Sequence, residues 1–115
     1  MGMKYFEQSQ SMDIASLNIE GINAFLQDVV SSNDVDAPIT CGMFRMEAGK
    51  PLDYTYSYAE CKIMLEGEMT ITESGSTATI RPGDIVYFDK GTSVTFASNS
   101  SGLAFYVGQR KEGVL

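Results

Sequence analysis

Apolar and polar residues alternate in short runs over much of this chain. Glu68-Met69-Thr70-Ile71-Thr72 alternates, as does Ser93-Val94-Thr95-Phe96, and Leu103, Phe105 and Val107 fall on one face of the last run. Successive side chains of a strand point to opposite faces, so a period of two predicts half-buried β-strands. Asp84 to Phe88 and Ile39 to Glu47 read as further strands. Lys4 to Gln8, Ile14 to Asn18 and Ala24 to Val30 carry weaker strand patterns, and Ile22 to Val30 also admits a short helical turn.

Turn residues separate these runs at even intervals. Leu65-Glu66-Gly67-Glu68 predicts a tight hairpin with Gly67 at positive φ. Glu73-Ser74-Gly75-Ser76 is a second polar turn. Arg81-Pro82-Gly83-Asp84 sets Pro and Gly at the central positions of a type II turn, and Asp89-Lys90-Gly91-Thr92 closes the next corner. Ser31 to Ala37 reads as a loop and Glu112 onward as a frayed tail. Many short strands with such punctuation predict one all-β domain, a sandwich or closed barrel.

The 115 residues suit a single domain with its own core. A net charge of −7, with eight scattered basic residues, argues against a nucleic-acid partner, since no basic cluster is there to neutralise phosphates. No apolar run approaches the length of a membrane span and no secretory leader opens the chain, so a cytoplasmic location is expected. Cys41 and Cys61 are read as free thiols. There is no glycine-rich phosphate loop to support phosphoryl transfer.

From Gly42 to Val107 the chain resembles the cupin superfamily. Glu60 and Gly67 stand at the spacing of that family's first motif, and Pro82, Gly83, Asp84 and Gly91 match its second, with Asp89 replacing the corner Pro. The resemblance implies a single-domain jelly-roll barrel, the double-stranded β-helix. It also implies four metal ligands, three of them His, yet the chain contains no His. Tyr54 and Tyr56 stand at two of those positions, Val94 at the third, and only Glu60 is retained. The stretch from Tyr54 to Glu60 and the corner from Lys90 to Val94 are most similar to the histidine-free cupins of the ethanolamine-utilisation EutQ type.

If Glu60 points into the barrel, as the resemblance implies, alternation turns Tyr58, Lys62 and Met64 inward too. Tyr56 and Tyr54 follow if the strand continues unbroken. Glu60, raised in pKa by an apolar barrel, would serve as general acid or base, with Tyr58 as partner and Lys62 as anchor for a substrate anion or as half of a structural pair. Tyr54, Tyr56, Met64, Phe44 and Met46 are candidate substrate contacts. Cys41 has no His partner to make it a nucleophile. Arg45 faces outward if Phe44 and Met46 face in. Asp84 caps its turn, and of Tyr87 and Phe88 one fills the core. No cofactor and no metal are expected, because transition metals strongly favour His or Cys clusters; Asp53 beside Glu60 would make at most a weak site for a hard cation.

Two functional expectations follow. One is a metal-independent cupin that binds a small polar organic molecule and works as an acid/base isomerase, cyclase or lyase. The other is a non-catalytic small-molecule-binding or accessory cupin of a metabolic pathway or microcompartment. By analogy with the family a homodimer is expected, with the N-terminal segment 3–36, Lys4 to Gln8 above all, suited to exchange between copies.

Overall fold

The computed structural model describes residues 2–32 and 34–115. Nine strands follow a 3₁₀ turn at Ser9–Ser11. They are β1 (Ala24–Ser31), β2 (Thr40–Glu47), β3 (Leu52–Thr55), β4 (Glu60–Gly67), β5 (Met69–Glu73), β6 (Ser76–Ile80), β7 (Ile85–Phe88), β8 (Ser93–Ala97) and β9 (Ser101–Gly108). Strand pairing is antiparallel throughout. One sheet has the order β1-β2-β9-β4-β7 and the other β3-β8-β5-β6, the two layers that the expected jelly roll requires. The core between them is built from alternate residues: Phe44 and Met46, Met64, Met69 and Ile71, Phe88, Val94 and Phe96, and Ala104 and Tyr106.

Turn chemistry decides the corners. Gly67 has φ +69°, and a Cβ there would run into the Ser101 carbonyl oxygen, so the first-motif glycine lets β4 turn tightly against β9. Gly83 takes φ +94° and the Asp84 amide donates to the Arg81 carbonyl at 2.9 Å, as the type II turn requires. The Asp84 carboxylate accepts from the Arg81 amide at 2.9 Å, which is the capping role expected of it.

One open alternative resolves in favour of the expected strand, and two expectations need correction. Ala24 to Ser31 is strand, with no helical turn, because its alternate residues Ala24 and Leu26 pack on the core and its backbone pairs with β2. Lys4 to Gln8 forms no strand: among the described residues nothing pairs with it, and Gln8 turns into the left-handed region at φ 56°. Ile14 to Asn18 contributes one isolated bridge, Ser16 to Phe25. The expected loop after β1 is present; Asn33, within it, lies outside the described residues. On β9 the apolar trio Leu103, Phe105 and Val107 lies opposite the core-facing Ala104 and Tyr106, so it covers the outside of the five-stranded sheet.

Candidate functional site

The tyrosine run and Glu60 do not share a strand. β3 ends at Thr55 and β4 begins at Glu60, in different sheets, so 56–59 crosses from one layer to the other at one end of the barrel. The crossing is pinned by the Tyr56 amide on the Thr92 carbonyl at 2.8 Å and the Gly91 amide on the Tyr56 carbonyl at 2.7 Å. It nevertheless brings all three phenols to one place. Tyr54 and Tyr56 meet edge to face at 4.8 Å, Tyr56 and Tyr58 at 5.4 Å, and Tyr56 stacks on Phe88 at 4.6 Å. Tyr58 has room because Gly108 lies beside it: a Cβ there would stand 3.1 Å from the Tyr58 ring.

Glu60 sits at the foot of this cluster and is 3% exposed. Its Oε2 accepts from the Tyr56 hydroxyl at 2.5 Å and lies 3.0 Å from the Lys62 ammonium. Among the described residues its Oε1 has no hydrogen-bond partner, nor is it sealed away as a buried orphan. Lys62, also 3% exposed, cannot carry its head to water. The ammonium lies over the rings of Phe44, Tyr106 and Phe96, at 4.5, 5.0 and 5.5 Å from their centroids. Burial pushes the Lys62 pKa down, and the neighbouring Glu60 carboxylate opposes that push. Burial, reinforced by Glu60, holds the Tyr56 phenol far above its usual range; burial and the Tyr54 hydroxyl raise Tyr58. Both are therefore neutral donors at physiological pH. The Tyr54 and Tyr58 hydroxyls share a hydrogen bond of 2.9 Å.

A cavity of about 40 Å³ opens beside Glu60. It is lined by Phe44, Tyr54, Tyr56, Tyr58, Glu60, Lys62 and Phe96, with a rim of Leu17, Leu26, Leu52 and Leu115. Six of the eight expected site residues thus converge there. Met46 and Met64 do not: they are fully buried farther along β2 and β4, and they pack the core. The leucine rim was not expected, since its members come from the N-terminal arm, β1, β3 and the C-terminal segment, and no local pattern links them.

A second polar cluster also escaped the sequence reading. Asp28 of β1 accepts from the Tyr106 hydroxyl at 2.6 Å, from both Arg110 amino groups at 2.6 and 3.0 Å, and from the Gly113 amide at 2.8 Å. Tyr106, Gly42 and Asp28 stand in register across β9, β2 and β1. Gly42 leaves the space over which the phenol crosses; a Cβ there would strike the Tyr106 hydroxyl. A bulge between Asp28 and Val30 shifts the following register, so Ser31 rather than Val30 faces in, with its hydroxyl 3.0 Å from Thr40.

The other candidates lie apart. Asp53 accepts from Thr95 at 2.6 Å on the exposed side of β3, away from Glu60. Arg45 and Cys41 are half-buried on the outer face, and burial raises the Cys41 thiol, which disfavours thiolate. Tyr87 is exposed while Phe88 is core. Among the described residues no three Cys, Asp or Glu side chains gather as a metal-ligating group. The superfamily's metal does not fit these residues: buried neutral phenols and Val94 replace imidazoles, and the one retained carboxylate already has an ammonium at 3.0 Å.

Residues 34–102 match the family described as EutQ-like cupin domain. The Escherichia coli (strain K12) protein called Acetate kinase EutQ is 30% identical over 82 residues, 71% of this chain and 34% of that one. The chain therefore spans about a third or less of the length of the curated relatives it matches. The Clostridium difficile EutQ structure superposes with a TM-score of 0.79 at 17% identity, covering 91% of this chain and 79% of that one. A Rhizobium leguminosarum protein of unknown function superposes with a TM-score of 0.65 at 30% identity, covering 94% and 97%. No helix among the described residues is long and apolar enough to cross a membrane. With both motifs folded as a cupin barrel and the match covering more than half of its length, the chain belongs to the EutQ-like cupin family.

Proposed function

We propose that this chain binds a small organic molecule at the mouth of its barrel and acts as a binding or accessory domain. The observation that carries this reading is a cavity walled mainly by leucines and aromatic rings, beside which the Tyr54 and Tyr58 hydroxyls and Glu60 Oε1 retain hydrogen-bonding capacity. Leucines and rings give contact area, and the few polar groups give orientation. Lys62 does not serve as a free anchor for an anion, because its ammonium is already held by Glu60. Phosphoryl transfer, the activity in the name of the Escherichia coli relative, is no part of the proposal.

Tyr54→Phe removes one hydroxyl from a half-buried ring. It is expected to weaken retention of a bound metabolite roughly tenfold, the worth of about one hydrogen bond, while leaving Tm nearly unchanged. Native mass spectrometry of both proteins after incubation with a bacterial metabolite extract reads this. Equal retention, or no bound molecule on the parent protein, sinks the reading.

The free Glu60 Oε1 favours a second reading, proton transfer on that same molecule, as in an isomerase or lyase. It calls for conversion of the retained molecule by the parent protein and none by Glu60→Gln at a temperature where circular dichroism shows that variant still folded. Pairing of two copies is likewise a proposal. Its support is the exposed outer face, where Ile85 and Tyr87 are 71% and 55% exposed, together with the exposed Met3 and Tyr5 of the arm. Sedimentation velocity at micromolar concentration is expected to give a dimer; a monomer overturns it.

A further inference from the structure

We propose that Lys62 is the barrel's built-in cation, an ammonium that the fold carries on β4 to neutralise the motif glutamate where a separately bound cation would otherwise be needed. This does not depend on the ligand-binding reading. Lys62 is two residues beyond Glu60 on one strand, so alternation forces both side chains inward, where each is 3% exposed and neither charged head can swing out into bulk water. A buried carboxylate with no counter-charge is strongly disfavoured. The surroundings are made for a cation. Glu60 Oε2 lies at 3.0 Å, and Phe44, Tyr106 and Phe96 present rings within 5.5 Å. Aromatic faces plus a carboxylate form the kind of box that recognises alkylammonium groups. Here β2, β8 and β9 each lend one ring to it, and the occupant is the protein's own side chain. Tyr106 stands opposite Lys62 in the β4–β9 register, which places that ring against the lysine.

If the box is specific for an ammonium, an excised occupant can be replaced from solution. Lys62→Ala removes three methylenes and the ammonium, the equivalent of propylammonium. Thermal unfolding of Lys62→Ala is expected to show a lowered Tm that propylammonium raises saturably, with no such response from the parent protein. The neutral 1-propanol should act roughly tenfold more weakly, since it fills the volume without the charge. Equal action by propanol and propylammonium overturns the proposal, and so does a saturable Tm rise of the parent protein with manganese, which would mean that Glu60 still takes a metal. If Lys62→Ala fails to fold, the parent protein labelled with ¹⁵N-lysine decides. One of its five lysines should give an ammonium signal shifted upfield by the rings and slow to exchange with water. Five ordinary, fast-exchanging signals overturn the proposal.

Discussion

Glu60→Gln is expected to lower the unfolding free energy by about 3–5 kcal/mol, and combining it with Lys62→Met to return most of that loss. The single change leaves the Lys62 ammonium buried without its counter-charge, although Gln can still accept the Tyr56 hydroxyl bond. The double change fills the space among Phe44, Phe96 and Tyr106 with an apolar chain of similar length, and such replacements of buried pairs are neutral or stabilising in general. Urea denaturation of the parent, both single variants and the double variant closes the cycle. The sign of the pH dependence adds a check. Burial lowers the Lys62 pKa below its unfolded value of 10.5, so between the two values the unfolded chain binds the extra proton and stability rises with pH. The deficit of Glu60→Gln should therefore shrink as pH rises toward that of free lysine. Additive single effects, or a Glu60→Gln protein within 1 kcal/mol of the parent, would remove the pair as a structural element and return Glu60 to the acid/base reading.

Local rules reached part of this site and stopped where topology took over. Alternation placed Tyr58, Lys62 and Met64 on the side of Glu60, and the turn residues marked the corners at Gly67, Gly83 and Gly91. The change of sheet after Thr55 was not legible, because tyrosines at every second position look the same on one strand or on two. β6 was missed for a different reason: Ser76 to Thr79 is small, exposed and, but for Ala78, polar, so its strand character comes from pairing with β5 alone. The distinction between Phe44 and Met46 was equally hidden. Both face inward, and only their distance from the open end makes one a cavity wall and the other core. Asp28 and Arg110 are 82 residues apart and join only because β1 and the segment after β9 meet at the same barrel end.

Asp28→Ala should be as damaging as any change at the cavity, at about 3–5 kcal/mol, since it strips both oxygens from a buried guanidinium. Arg110 is 4% exposed and its Nε has no partner among the described residues, so it has little to fall back on. Burial pushes the Asp28 carboxyl up, but the Arg110 fork, the Tyr106 hydroxyl and the Gly113 amide outweigh it and hold the pKa below 3.8. A depressed carboxylate contributes stability that is complete above its unfolded pKa and is lost as pH falls through the folded one. The parent protein should thus lose stability below pH 3.8 more steeply than Asp28→Ala, which lacks that titration. Guanidinium melts of both proteins between pH 2 and 7 measure the two effects together. A loss under 1 kcal/mol at pH 7, or identical acid limbs, would show the cluster to be dispensable. The expected result has a consequence at the mouth. Arg110 and the Gly113 amide tether the segment that carries Leu115 to the cavity rim, so releasing Asp28 should also weaken retention of the bound metabolite although Asp28 does not line the cavity.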